Sequence, residues 1–328
     1  MTRQRADFGL TRRGLLGGAA AVASLSAAPR VMASSKFDIV ATTGMIADAA
    51  RVVGGGIANV TGLMKAGVDP HAYRQTRSDI VAMSRADLVL WHGLYLEAQM
   101  ESFFEDLGAR QPVVAVAEDM PKDVLLGHED YEGRYDPHVW MDPTLWAKVV
   151  DRVQSAMTEA YPESAETFTA NAEAYKEELV ALGTYARDAL AQLTPEQRVL
   201  VTAHDAFGYF GTAYDFDVMG VQGISTESEA GLSRISELVD TLVDRDIRAV
   251  FVETSVSDRN MRALIEGAAA KGHEVKIGGA LFSDAMGVEG TYEGTYLGMI
   301  DHNVTTISRA LGADVPASGR LGKLMVNS

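Results

Sequence analysis

Short apolar runs alternate with helical patterns along most of the chain, and this alternation limits the possible folds more than any other feature of the sequence. Strand signals occur at residues 37–42, 59–64, 88–91 and 113–116, with a helical pattern at 45–53. After residue 198 they occur again, at residues 199–202, 218–221, 249–252 and 275–277. Strands that alternate with helices form mainly parallel sheets covered by helices. The sequence therefore predicts an α/β fold.

The two series of strands are separated by residues 161–194, which contain no strand signal. Apolar residues recur there at helical spacing, at Phe168, Ala172, Tyr175, Leu179 and Leu182. A helix of roughly 30 residues in this stretch would be about 45 Å long. Because the chain of 328 residues is longer than a single core usually supports, we expect two α/β lobes, residues 34–160 and 195–328. The long helix at 161–194 would join them.

The first 33 residues have the pattern of an export signal. Arg12 and Arg13 come directly before an apolar stretch that runs to about Ala28 and is too short to span a membrane. A small residue at Ala33 would permit cleavage after it. The arginine pair favours the twin-arginine export route, and the general secretory route is the alternative.

Composition limits where the protein acts and what it binds. The chain has no cysteine, so it offers no disulfide, no thiolate for a metal and no attachment point for a lipid. Its formal net charge of −16 disfavours binding to nucleic acid. We expect a soluble, monomeric periplasmic protein that does not insert into the membrane.

Four residues have the context of ligands at the edges of sheets. His204 directly follows one predicted strand, Asp284 lies shortly after the last, and His71 follows a turn after the second. In open α/β sheets, ligands bind at the carboxyl ends of the strands. His138 has no strand just before it, but prolines on either side restrict its backbone. Two candidates come from each predicted lobe, which places the site in the cleft between them.

The other four histidines have weaker contexts. His92 adjoins a glycine, His273 lies in a turn that we expect to be solvated, and His302 falls inside the last helical pattern. His128 lies in an acidic segment and could act as a weak accessory ligand. We do not expect any of the four to be a primary ligand.

Several motifs together resemble the zinc/manganese solute-binding proteins of ABC importers. They occupy residues 67–71, 136–140, 202–210 and 282–287, with further likeness at 222–229 and 251–253. The resemblance implies two α/β lobes, a long backbone helix and one metal ion in the cleft. It assigns His71, His138, His204 and Asp284 as the ligands, and an ABC permease in the inner membrane as the partner.

The identity of the metal is less constrained by the sequence. Three imidazoles and one carboxylate suit tetrahedral Zn²⁺. Mn²⁺ prefers more oxygen ligands, which a bidentate Asp284 could supply. Family members that favour manganese often have Glu at the position of His204, yet the motifs around His204 and Asp284 resemble a branch associated with manganese. We therefore favour Mn²⁺, with Zn²⁺ as the alternative.

Acidic residues near the ligands are candidates for orienting the imidazole rings. They are Asp136, Asp142, Asp205 and Glu253. Each could instead cap a turn or a helix, and Asp205 in particular lies where a helix is predicted to begin.

Three other functions fit parts of the sequence. A zinc metallohydrolase would need an open coordination position for water, whereas four protein ligands would close the coordination sphere. A surface adhesin is compatible with export but has no specific motif here. A receptor for an organic solute could use Trp140 and Tyr209 as an aromatic pocket.

Overall fold

The computed structural model describes Thr2 and residues 36–128, 131–228 and 230–325. The predicted export signal, apart from Thr2, lies outside the described residues. We call residues 36–160 the first half and residues 195–325 the second half; both belong to one compact unit that begins at Lys36.

The first half contains a four-stranded parallel sheet. Its strands are β1 (Phe37–Ala41), β2 (Ala58–Gly62), β3 (Leu88–Trp91) and β4 (Val113–Ala115), in the order β2-β1-β3-β4. The accompanying helices are α1 (Gly44–Gly54), α2 (Arg77–Arg85), α3 (Glu101–Gly108) and α4 (Pro143–Ala160). β1 is one of the two inner strands, and all of its residues except Asp38 are apolar and buried, as is typical of strands covered on both faces.

The second half contains two parallel strand pairs that lie side by side, with β5 next to β7. The strands are β5 (Val199–His204), β6 (Asp217–Gln222), β7 (Ala249–Glu253) and β8 (Lys276–Leu281). The helices are α6 (Gly208–Tyr214), α7 (Leu232–Asp244), α8 (Arg259–Ala270) and α9 (Tyr296–Ala310). The carboxyl ends of β5 and β7 therefore lie close together.

The long helix between the halves is α5 (Ala165–Leu190). It packs against α1, α4 and α9, and so contacts both halves. The apolar face predicted from the sequence is buried along it. The α-helix is shorter than residues 161–194 because short 3₁₀ helices, Pro162–Ser164 and Pro195–Gln197, lie on either side of it. Proline favours such helix starts but cannot donate a hydrogen bond within a helix.

One large hydrophobic core joins the halves through α5. Fully buried side chains from both halves and from α5 contribute to it, among them Ile39, Trp146, Phe168, Phe207 and Tyr296. Parallel sheets flanked by helices confirm the predicted α/β fold. Among the described residues, the helices lack the length and apolar character required to cross a membrane.

Candidate metal centre

The four candidate ligands converge from four different segments of the chain. His204 is the last residue of β5, and Asp284 comes three residues after the end of β8. His71 lies in the loop between β2 and α2, and His138 directly precedes a 3₁₀ helix, Val139–Met141. All four side chains are buried, none more than 2% exposed. The first half supplies two of them and the second half the other two.

The ligand-type atoms of these residues surround one point. Nε2 of His71 lies 3.3 Å from Nε2 of His138. Nε2 of His138 lies 3.3 Å from Oδ1 of Asp284, and Nε2 of His204 lies 3.2 Å from Oδ2 of Asp284. One such atom from each residue falls within 4.8 Å of all the others. Zn–N bonds of about 2.0–2.1 Å would separate neighbouring ligands of a tetrahedral ion by about 3.3 Å. The spacing therefore fits a single metal ion.

Several of these buried polar atoms lack hydrogen-bond partners. They are Nε2 of His204 and both carboxylate oxygens of Asp284. Burying polar atoms without partners is costly, and such groups in a folded protein call for a specific explanation. A cation bound between them would satisfy all three atoms.

Two acidic residues orient the imidazole rings. Oδ1 of Asp136 accepts hydrogen bonds from Nδ1 of His138 at 2.6 Å and from its backbone N–H at 2.9 Å. Glu253 does the same for His204, with Oε2 2.5 Å from Nδ1 and Oε1 2.9 Å from the backbone N. Because each Nδ1 then carries a hydrogen, the Nε2 lone pair is directed into the centre.

The other two acidic candidates have different surroundings. The carboxylate of Asp142 accepts a hydrogen bond from the backbone N–H of Thr144 at 2.8 Å and so caps α4. Asp205 lies ahead of α6, which begins at Gly208 with Phe207 as its N-cap residue. Asp205 is therefore not the N-cap residue of this helix, which begins three residues later than predicted.

Burial and charge move the pKa values of the cluster in opposite directions. Burial lowers the pKa of His71 to about 3. Burial also acts to lower the pKa of His138, but the nearby Asp136 and Asp284 outweigh it and raise that pKa to about 9. The pKa of His204 is raised in the same way, against burial, by Asp284 and Glu253. Burial acts to raise the pKa of Asp284, but His204 and His138 hold it well below its usual value.

The remaining histidines do not join this cluster within the described part of the chain. His92 is buried, and its Nε2 lies 2.7 Å from the carbonyl oxygen of Pro137. His128 packs its ring on Tyr131. His302 lies in α9 with its Nε2 2.9 Å from the carbonyl oxygen of Ala280.

The expectation of a solvated His273 is wrong. Its side chain is buried, with Nε2 2.7 Å from the carbonyl oxygen of Ile247. The sequence shows only a helix-to-strand turn between Lys271 and Glu274, and the packing of that turn against Ile247 is decided by the tertiary structure.

Two aromatic residues hold the segments that carry the ligands. Trp140 is fully buried, and its Nε1 donates to the carbonyl oxygen of Ser283 at 2.8 Å, next to Asp284. The hydroxyl of Tyr209 donates to the carbonyl oxygen of Asp136 at 2.7 Å. Both were candidates for a solute pocket, but their buried polar atoms are used to link the halves. In the sequence, the only signal that these two residues link the halves is their position within the motifs at residues 136–140 and 202–210.

Comparison with known proteins places the chain among metal-binding proteins. A family model described as the periplasmic component A of a zinc-uptake complex matches residues 39–310. The manganese-binding lipoprotein MntA of Bacillus subtilis is 48% identical over 280 residues, which cover 85% of this chain and 91% of the relative. The zinc-binding protein TroA of Treponema pallidum is 45% identical over 279 residues, covering 85% and 90%. The solved structure of periplasmic TroA aligns with a TM-score of 0.82 over 84% of this chain and 99% of that chain.

Proposed function

The chain belongs to the family of zinc/manganese solute-binding proteins of ABC importers, and we propose that it binds one divalent transition-metal ion for delivery to such an importer. The observation that carries this proposal is the buried cluster of His71, His138, His204 and Asp284, in which three polar atoms lack partners. These four residues are the proposed ligands.

We propose Mn²⁺ as the ion that the protein carries, with Zn²⁺ as the alternative. The two oxygens of Asp284 point to different imidazoles, Oδ1 to His138 and Oδ2 to His204. Both oxygens can therefore bind one ion, which gives five donor atoms with the three imidazoles. Mn²⁺ favours more oxygen ligands than the four-coordinate sites typical of structural zinc. The relatives that bind manganese and zinc have similar identity to this chain, so both ions fit the family.

The remaining parts of the proposal concern the setting of this site. We propose that the mature protein is a soluble periplasmic monomer, without catalytic activity, that docks on a permease in the inner membrane. Residues 34–160 and 195–328 would act as its lobes, with residues 161–194 as the link between them. Four protein ligands support transport over hydrolysis, because around a four-coordinate ion they leave no open position for an activated water.

Metal binding by the purified chain tests the site directly. We expect one equivalent of Mn²⁺ or Zn²⁺ per chain, measured by isothermal titration calorimetry and by elemental analysis after gel filtration. Replacing His138 with Ala should weaken binding by at least about a hundredfold, because one of the few ligands is lost and Asp136 is left buried without its partner.

The matched control is His302→Ala. His302 belongs to α9, outside the cluster, whereas His273 is buried and its replacement would disturb packing. We expect the control to bind like the wild type. Equal affinity in His138→Ala and the wild type would rule out the proposed site. Elemental analysis of the protein exported from its native host, with competition between Mn²⁺ and Zn²⁺, would then identify the ion that it carries in the cell.

A further inference from the structure

Asp69 links one candidate ligand to the opposite half of the molecule. Its Oδ1 accepts a hydrogen bond from the backbone N–H of His71 at 2.9 Å. Its Oδ2 accepts a hydrogen bond from the hydroxyl of Thr226 at 2.6 Å. Asp69 belongs to the first half and Thr226 to the second, in the loop between β6 and α7. A single carboxylate thus connects the segment that carries His71 with the opposite half.

Further contacts near this bond also connect the two halves. The side-chain amide of Gln99 donates to Oε1 of Glu227, the neighbour of Thr226, at 2.9 Å. Gly67 has a φ of 73°, and a Cβ atom there would lie 3.4 Å from the carbonyl oxygen of Thr254 in the second half. Glycine adopts this conformation without strain and allows the close approach. The loop before His71 is therefore built to lie against the second half.

Other contacts between the halves differ in strength and burial. The hydrogen bonds of Trp140 to Ser283 and of Tyr209 to Asp136 are made by buried aromatic side chains, so breaking them would open the core. The ion pair of Arg51 with Glu289 joins side chains that are 35% and 63% exposed. Exposed pairs of this kind contribute little to stability.

In burial, the hydrogen bond between Asp69 and Thr226 is intermediate between the buried aromatic hydrogen bonds and the exposed ion pair. It is partly buried, its acceptor is a carboxylate, and its length is in the range of charge-assisted hydrogen bonds between oxygen atoms. Both partners lie in loops, which can separate at lower cost than packed helices and strands. This bond can therefore hold the two loops together and still open.

We propose that the Asp69–Thr226 hydrogen bond is a latch that holds the halves closed over the bound ion and limits the rate at which the ion leaves. Asp69 is a positioning residue, since it acts through the backbone of His71 and does not reach the metal position itself. The inference rests on the proposed function, because it assumes that the cluster binds a metal ion. An ion held by ligands from both halves cannot leave until these loops separate.

Metal release from three threonine variants tests the latch. Thr226→Val removes the hydroxyl and keeps the shape of the side chain, whereas Thr226→Ser keeps the hydroxyl. Thr241→Val is the matched control, because the Thr241 hydroxyl donates to the carbonyl oxygen of Glu237 within α7. Each full chain is loaded with one equivalent of Zn²⁺ and mixed with an excess of a colorimetric chelator, and the absorbance records release.

We expect Thr226→Val to release Zn²⁺ about tenfold faster than the wild type, the loss typical of one charge-assisted hydrogen bond. Thr226→Ser and Thr241→Val should release it at the wild-type rate. The metal-free Thr226→Val protein should remain folded at the temperature of the release experiment, as measured by circular dichroism, so that faster release does not come from unfolding.

Release from Thr226→Val at the wild-type rate would overturn the latch. Equal acceleration in Thr226→Ser or Thr241→Val would do the same, because the hydroxyl of Thr226 would then not be the cause. A wild-type chain that retains neither Zn²⁺ nor Mn²⁺ would instead contradict the proposed function, and the latch with it.

Discussion

Asp136 and Glu253 each bind one histidine twice, once at the ring and once at the backbone N–H of the same residue. This double contact fixes both the position of the chain and the rotation of the imidazole. A ring that is oriented before metal arrives loses little conformational freedom on binding. The precision of the centre therefore depends on acidic residues that do not reach the metal position.

The same carboxylates make metal binding depend on pH. In the metal-free protein the pKa of His138 is about 9, because Asp136 and Asp284 outweigh the effect of burial. At neutral pH this imidazole carries a proton that a metal ion must displace. We expect affinity to rise with pH between 6 and 8, by up to about tenfold per unit for each proton displaced. His71, with a pKa of about 3, should contribute no proton.

Calorimetric titrations at pH 6, 7 and 8, in two buffers of different ionisation enthalpy, would measure both the affinity and the protons released. An affinity that is constant with pH, and a heat that is the same in both buffers, would contradict this expectation. The metal-free protein gives a second readout. Because folding raises the pKa of His138 above 6.5, its contribution to stability is complete below about pH 6.5 and is lost as the pH rises through about 9.

At the scale of elements, α5 supports both halves, and one of its residues limits its stability. Gly183 lies within this helix, and a Cβ atom there would meet only Cβ of Pro143, at 3.9 Å, an ordinary contact. Glycine inside a helix costs about 0.5–1 kcal/mol relative to alanine. We expect Gly183→Ala to raise the free energy of unfolding by about that amount, measured by urea denaturation in the presence of EDTA.

Gly211 in α6 provides the contrast. A Cβ atom there would lie 2.8 Å from Cγ2 of Val218 and 2.9 Å from the carbonyl oxygen of Phe216. Gly211→Ala should therefore lower the free energy of unfolding, although both glycines are helical. If both substitutions changed stability in the same direction, the space around each glycine would not be the deciding factor.

At the scale of the whole molecule, the candidate metal centre takes its residues from both halves. His71 and His138 come from the first half, and His204 and Asp284 from the second. An ion that binds only the folded chain stabilises it by about 2.7 kcal/mol when its free concentration is a hundred times Kd. We expect saturating Mn²⁺ to raise the thermal midpoint by about 5 °C over the protein in EDTA, as measured by calorimetry.

His138→Ala is the control for this measurement, and its thermal midpoint should be nearly independent of Mn²⁺. A wild-type protein that binds one ion but keeps the same midpoint would show that the ion binds the unfolded chain as well as the folded chain. Binding would then not depend on ligands that folding brings together, which would contradict the proposed centre.

The sequence by itself determined the elements and the candidate ligands. The strands from β1 to β8 and the apolar face of α5 follow from hydrophobic periodicity, which each segment carries locally. Helices α2, α3 and α4 were not predicted, although Asp142 and Pro143 form a typical start for α4. The four candidate ligands were found from their motifs and from placement at or near strand ends. Their role as ligands stays a prediction.

Only the tertiary structure decided which residues form hydrogen bonds to the candidate ligands and to the segments that carry them. Glu253 reaches His204 across 49 positions, Trp140 reaches Ser283 across 143, and Thr226 reaches Asp69 across 157. Asp136, Asp142, Asp205 and Glu253 were equivalent candidates in the sequence, but two orient imidazoles and one caps a helix. Local patterns fix whether a segment is a strand or a helix, since backbone hydrogen bonding and side-chain alternation repeat along it. Partners far apart in the chain depend on how those segments pack, and that information lies in the whole fold.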